Sequence, residues 1–312
     1  MPLLRKKAVF AAAIETTAGT AETLDATDGV FNAYNFDIQL GQTVEEREGQ
    51  GAFNRLQGVP GAAMGTATMT TDLGWDGTTT MPSWAAILLP ALGFVETSQV
   101  FNPVTAAPGT GGVKTLTIGK YTDGKRRQIH GAMGTAQMIL PSARMARMEC
   151  NFTGCWNAET DTAIIAPTYP TAFPLKFSSA TITFNSVAVK VESVTIDFGN
   201  VVILREDPST ASGYSTALVT DRNPRITLNP EANLVATLST SGLLSAGTQA
   251  AFQVVLDGPT DSTLTIDAPK CQVMTSQEGD RNGMLIEDIE LACQKNATTS
   301  DKELFFTFSE AS

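Results

Sequence analysis

Asn35 to Glu48 reads NFDIQLGQTVEERE, and Ser193 to Glu206 reads SVTIDFGNVVILRE. Laid over one another without a gap, they match Ile38 with Ile196, Gly41 with Gly199, Val44 with Val202, Arg47 with Arg205 and Glu48 with Glu206. Ahead of the glycine, apolar and polar residues alternate, the period-two signature of a strand with one buried face. A strand, a glycine and a charged exit written twice predict a duplicated β unit. The surroundings extend the match. EGQGAFNRLQGVPGAAMG, from Glu48, reads as a long glycine-rich loop before the alternating TATMTTDLGW; EDPSTASGYSTALVTDRNP, from Glu206, reads as a comparable loop before RITLNPEANL. TLTI stands at Thr115 to Ile118 and again at Thr263 to Ile266, and the last strands, ARMARMECNF and LIEDIELACQ, place Cys150 over Cys293. Landmarks in one order between loops of similar length point to internal repetition.

PSWAAILLPALGF predicts a helix, with Pro82 at its first position, Gly93 as a left-handed cap, and Trp84, Ile87, Leu88 and Leu92 on one face. Its counterpart LVATLSTSGLLSAG predicts a shorter helix weakened by Thr, Ser and Gly242. Asp123-Gly124 between alternating segments signals a type I′ hairpin. Pro167, Pro170 and Pro174 crowd one stretch, a stiff extended connector. The expected fold is therefore mainly β: two tandem β-sandwich or barrel-like domains, residues 1–165 and 176–312, each with a short flanking helix, joined by a Pro-rich connector at 166–175.

The 312 residues suit two such units. At 42% hydrophobic and 17% charged, the chain has core material but few surface charges. Either neighbouring molecules cover much of that surface or Thr, Ser, Asn and Gln replace charges on it. The net charge of −11 opposes any surface that holds nucleic acid by neutralising phosphates, although an acidic wall lets DNA pass without sticking. The acid is uneven: 12 basic residues face 13 acidic ones up to Asn157, and 9 face 19 after it. Four scattered cysteines make no disulfide framework, and with one histidine and no C-x-x-C pair no metal site is expected. The apolar run AVFAAAI closes at Glu15 without a cleavage pattern, and no apolar stretch reaches membrane-spanning length, so a protein made in the cytoplasm is expected.

No catalytic constellation emerges, and neither an enzyme nor a cofactor is expected. His130 has no nucleophile in an elbow sequence and reads as structural. Gly109 to Gly112, GTGG, has no following helix to cradle a phosphate. Glu45, Glu46 and Glu48 lack the calcium-loop pattern and read as solvated or partner-facing. The residues singled out are instead contact candidates between subunits or rings: Glu45, Glu46, Arg47, Glu48, Phe53 and Arg55, then Arg205, Glu206, Asp207 and Tyr214. Phe53 and Tyr214 either tuck into their own unit or anchor on another subunit. Lys125, Arg126 and Arg127 form a basic hairpin, either solvated or paired with a neighbour's acids.

AIETTAGTAETLDATDGVFNAYNFDIQ, the glycine-rich stretch after EERE, LLPALGF, FNPV, KTLTIGKYTDGKRRQIHGAMGTAQMIL and MECNFTG follow an order that resembles the major tail proteins, or tail-tube proteins, of long-tailed phages over about the first 157 residues. The second half is similar to that family chiefly through its likeness to the first. The resemblance implies a structural virion protein located in the tail, whose sheets join those of sister chains into rings stacked as a tube for genome delivery. Two units per chain then imply three chains per pseudo-sixfold ring. It also implies a tape-measure protein, a tail terminator and distal tail proteins as partners, with transient passage of DNA and no membrane. Asp37 and Asp197 are candidate lumen acids. Two rival readings are a distal tail, hub or decoration protein and, from another class, a secreted β-sandwich carbohydrate-binding module.

Overall fold

The structure is a computed structural model that describes residues 3–28, 31–51, 53–259, 262–296 and 301–310. It is mainly β, as expected, with two helices. The first half forms β1 (Ala8–Ile14), β2 (Ala33–Glu48), β3 (Arg55–Asp72), α1 (Ser83–Ala91), β4 (Phe94–Thr97), β5 (Val100–Pro103), β6 (Leu116–Thr122), β7 (Lys125–Pro141) and β8 (Arg147–Asp161). The second forms β9 (Thr181–Phe184), β10 (Val187–Ala188), β11 (Val191–Asp197), β12 (Asn200–Glu206), β13 (Tyr214–Arg222) and β14 (Arg225–Pro230). Then come α2 (Thr240–Ala246), β15 (Gln249–Asp257), β16 (Thr263–Arg281), β17 (Met284–Cys293) and β18 (Phe305–Ser309).

All pairings are antiparallel. In the first half the neighbours run β1-β6-β7-β8-β3-β2, and in the second β9-β15-β16-β17-β14-β11. The two runs meet where β11 pairs with β7, opposing Ser193 to Pro141, Ile196 to Met138 and Asp197 to Gln137. The result is one large sheet and not a closed barrel: β2 ends it on one side and β10 on the other.

Two of the sequence landmarks are misplaced. The first TLTI reaches into β6, which lies between β1 and β7, whereas the second opens β16, flanked there by β15 and β18. Nor do the cysteines superpose. Aligned on Ile38 and Ile196, the ladder Ile38–Ala67–Phe152–Gly134 falls beside Ile196–Ile226–Leu291–Val273, which sets Cys150 level with Ile289, while Cys293 faces Cys271. Alternation fixes which face a side chain takes, but a short β-rich word does not fix which strand carries it.

The core explains the alternation. Ile38, Phe152 and Leu88 of the first half join Phe184, Ile196, Phe252, Ile266 and Phe308 of the second in one buried cluster. From α1, Trp84, Leu88 and Leu92 face that core and Ile87 packs at its margin. Pro82 caps this helix with ψ 139° instead of occupying its first turn, and Gly93 follows at φ 84°, the left-handed conformation expected of it. α2 is short, as its composition predicts: Ser239 caps it by accepting from the Gly242 amide, and Gly247 ends it at φ 61°. Asp123 and Gly124 take φ 45° and 100°, the signs of a type I′ turn.

Candidate assembly surfaces

Two hairpins that the sequence alignment sets side by side take different courses. β2 and β3 continue as a long two-stranded arm whose ladder runs from Gly41–Met64 out to Glu48–Arg55. The stretch read as a long loop is therefore mostly strand, β3 resuming at Arg55 after β2 ends at Glu48. From Leu40 outward the arm touches little of its own chain: Leu40, Val44, Leu56 and Val59 are about half exposed or more, and Phe53 at the tip is fully exposed. Glu45, Glu46, Arg47 and Glu48 sit along it, with Glu46 ion-paired to Arg55 across the ladder.

In the second half the corresponding strands break. Gly199, at φ 59°, separates β11 from β12, and Asn223-Pro224 separates β13 from β14. A side chain at Gly199 would bring its Cβ to 2.2 Å from the Asn223 carbonyl oxygen. The β12–β13 hairpin thus turns away from its sheet and lies across β7 and β8, where Val202, Leu204 and Val219 pack against Val113, Met133 and Ala217. Asn200 pins it by donating to the carbonyls of Leu92 and Gly134. Its turn reaches the base of the arm: the Ala63 amide donates to the Ser212 carbonyl, and Gly213 comes too near Ala62 to carry a side chain. Arg205 and Glu206 end β12, Asp207 starts the turn, and Tyr214 is half-buried. Of the two aromatics, Tyr214 tucks in and Phe53 does not.

The basic hairpin is largely engaged within the chain. Lys125 and Arg127 both reach Glu159, and the Lys125 hydrogen bond, aided by Arg127, holds that carboxyl below its ordinary value. Arg127 also donates to the Ile38 carbonyl at 3.3 Å, and Lys120 meets Asp37 at 2.6 Å. Burial works against the Asp37 charge, but the hydrogen bonds from Lys120 and Gln39 and the Lys120 charge outweigh it, so this carboxyl also sits low. Asp197 turns its carboxylate onto the Gly199 amide. Both candidate lumen acids are thus engaged within the chain.

Two features escaped the sequence reading. β16 runs on past β15, which leaves it at Gln272, so Ser276 to Asp280 pairs with β17 on one flank and has no strand on the other among the described residues. This free flank is acidic, with Glu278 and Asp280 on β16 and Glu287 and Asp288 beside them on β17. Asn282-Gly283 at its tip, φ 55° and 83°, was a legible hairpin signal. The other is Glu15, buried with donors from Gly19, Thr115, Thr117 and Gly131. Its carboxylate fixes the corner of β1, β6 and β7. Burial lowers the His130 pKa. Among the described residues no group of His, Cys, Asp and Glu is placed to hold a metal, and no helix is long and apolar enough to cross a membrane.

No curated protein matches the chain. A family model described as phage tail tube protein matches residues 6–293, a span covering both halves and the connector. That family is structural and not an enzyme class, and its members are components of the virion tail. The chain belongs to the phage tail tube protein family.

Proposed function

We propose that this chain builds the tube as stacked rings of three molecules, each molecule supplying two units of a pseudo-sixfold ring through which the genome passes. The observation that carries the reading is the strand order: β1-β6-β7-β8-β3-β2 and β9-β15-β16-β17-β14-β11 are laid out alike, and in chain order each set has a helix between the third and fourth of these six strands, α1 between β3 and β6 and α2 between β14 and β15. Residues 1–165 and 176–312 are then two copies of one tube unit. The β2–β3 arm is the stacking element, inserting Phe53 and its flanking apolar residues into the adjoining ring. A fully exposed aromatic on a hairpin that touches little of its own chain gains most by burial elsewhere. The surplus of acid keeps DNA from adhering to the conduit. Tape-measure, terminator and distal tail proteins would meet the two ends of the stack.

Negative-stain images of the purified chain test this. Hollow rods with threefold rings are expected. Single rings that never stack would favour a hub, and a monomer that forms neither at any concentration would overturn the tube.

A further inference from the structure

The junction between the halves is a template for the junction between molecules. Inside the chain, β7 from Gln137 to Pro141 has β8 on one flank through Ile139 and β11 on the other, and its residues are buried or half-buried. Following the matched ladders, Ala136 opposes Cys150 as Ser276 opposes Ile289. With the bulge at Met274 counted, Gln137 to Pro141 therefore corresponds to Gln277 to Arg281 of β16. That stretch has its flank open and is mostly exposed. The strand corresponding to β11 is β2, since Ile38 and Ile196 hold equivalent places, and β2 is the terminal strand on its side of the sheet. One molecule thus presents both halves of a contact that it has already made once internally.

Resting on the ring reading, we infer that β2 of one molecule pairs antiparallel with β16 of the next, opposing Asp37 to Gly279, Ile38 to Glu278 and Gln39 to Gln277. Transferring the internal register, Thr195–Ile139, Ile196–Met138 and Asp197–Gln137, gives these partners. The occupant is a second copy of this chain, and charge supports the choice. Lys120 and Arg127 are held against Asp37 and the Ile38 carbonyl on β2, so two cations, paired within the chain to Asp37 and Glu159, stand beside the edge that receives the strand. The incoming edge carries Glu278 and Asp280 with Glu287 and Asp288 alongside. Such an interface is head-to-tail, the kind that closes a ring when its rotation permits. It also gives a partner strand to two edges that each molecule leaves without one among the described residues. Within the chain the first half is close to neutral and the surplus acid lies in the second, so the incoming acidic edge meets a neighbour's half that carries little net charge.

The test is a pair of cysteines at partner positions, both exposed in the single chain: Gln39→Cys with Gln277→Cys. The four native cysteines are buried and do not compete. Mild oxidation of assembled protein should yield covalent oligomers on a non-reducing gel, ending at the ring number. Each single variant should stay monomeric there, and Gln39→Cys with Thr275→Cys, two residues out of register, should crosslink at least tenfold less. Rods without crosslink, or equal yield from the shifted pair, would overturn the proposed register while leaving the tube intact. Wild-type protein that forms no rings or rods would overturn the tube reading itself and this contact with it.

Discussion

Replacing Phe308 by alanine should loosen the first half of the molecule although the substitution lies in the last strand. β18 pairs with β16 on one side and β5 on the other, and so spans the two halves. From it Phe308, 1% exposed, enters an aromatic group with Trp75 at 5.2 Å, Phe101 at 5.8 Å and Trp84 at 6.0 Å between ring centres. A buried Phe→Ala change costs ~3–5 kcal/mol, the edge-on aromatic contacts included, because the cavity collapses only in part. With a urea m-value of about 3 kcal/mol per M, a loss of ~4 kcal/mol moves the midpoint down by ~1.3 M. All three tryptophans, Trp75, Trp84 and Trp156, precede the connector, so fluorescence reports the first half alone while far-ultraviolet circular dichroism reports both. In the monomeric chain both signals should shift together. A fluorescence midpoint that stays put while the dichroism moves would refute the coupling and mean that the halves unfold independently.

Three further outcomes are expected. Gly199→Val should abolish the folded β12–β13 hairpin, since it forces a β-branched residue to φ 59° with its Cβ 2.2 Å from a carbonyl oxygen; Gly41→Val meets only the flexible Met64 side chain at 3.2 Å and should melt close to wild type by circular dichroism, and equal behaviour of the two would contradict the unequal roles of these glycines. Because burial holds His130 neutral below its ordinary value of 6.5, the unfolded chain binds more protons beneath that pH and stability falls as pH drops from 6.5 through the folded value. His130→Gln should therefore flatten the change in urea midpoint between about pH 7 and about pH 5.5, and an unaltered slope would assign the dependence elsewhere. Burial pushes the Cys155 thiol up to about 11 and raises Cys150 as well, so a thiol reagent at neutral pH should label the native chain slowly and all four cysteines rapidly in denaturant.

How far the sequence could be read depended on whether a property was local. Alternation marked β2 and β11 as half-buried strands, and Ile38 and Ile196 are both fully buried. The arm was misread because Gly58, Pro60 and Gly61 look like loop residues, yet there β3 pairs only with β2 and reaches β8 from Met64 onward. A proline that would break a central strand is tolerated where one flank is open. The acidic end of β16 was missed for a related reason. MTSQEGDR carries polar residues on both faces, since even its covered face meets the Thr240 hydroxyl through Ser276, and so loses the alternation by which strands are recognised. An assembly edge is therefore least strand-like in sequence where it is most available to a partner. Gln137 to Pro141 and Gln277 to Arg281 illustrate the point: the first reads QMILP and is covered by β11 within the chain, while the second reads QEGDR and has no strand on that flank among the described residues. On the proposed contact, a permanently covered edge can be apolar, whereas one that must stay soluble before assembly carries charge, which keeps free molecules apart until the edge of β2 beside Lys120 and Arg127 arrives.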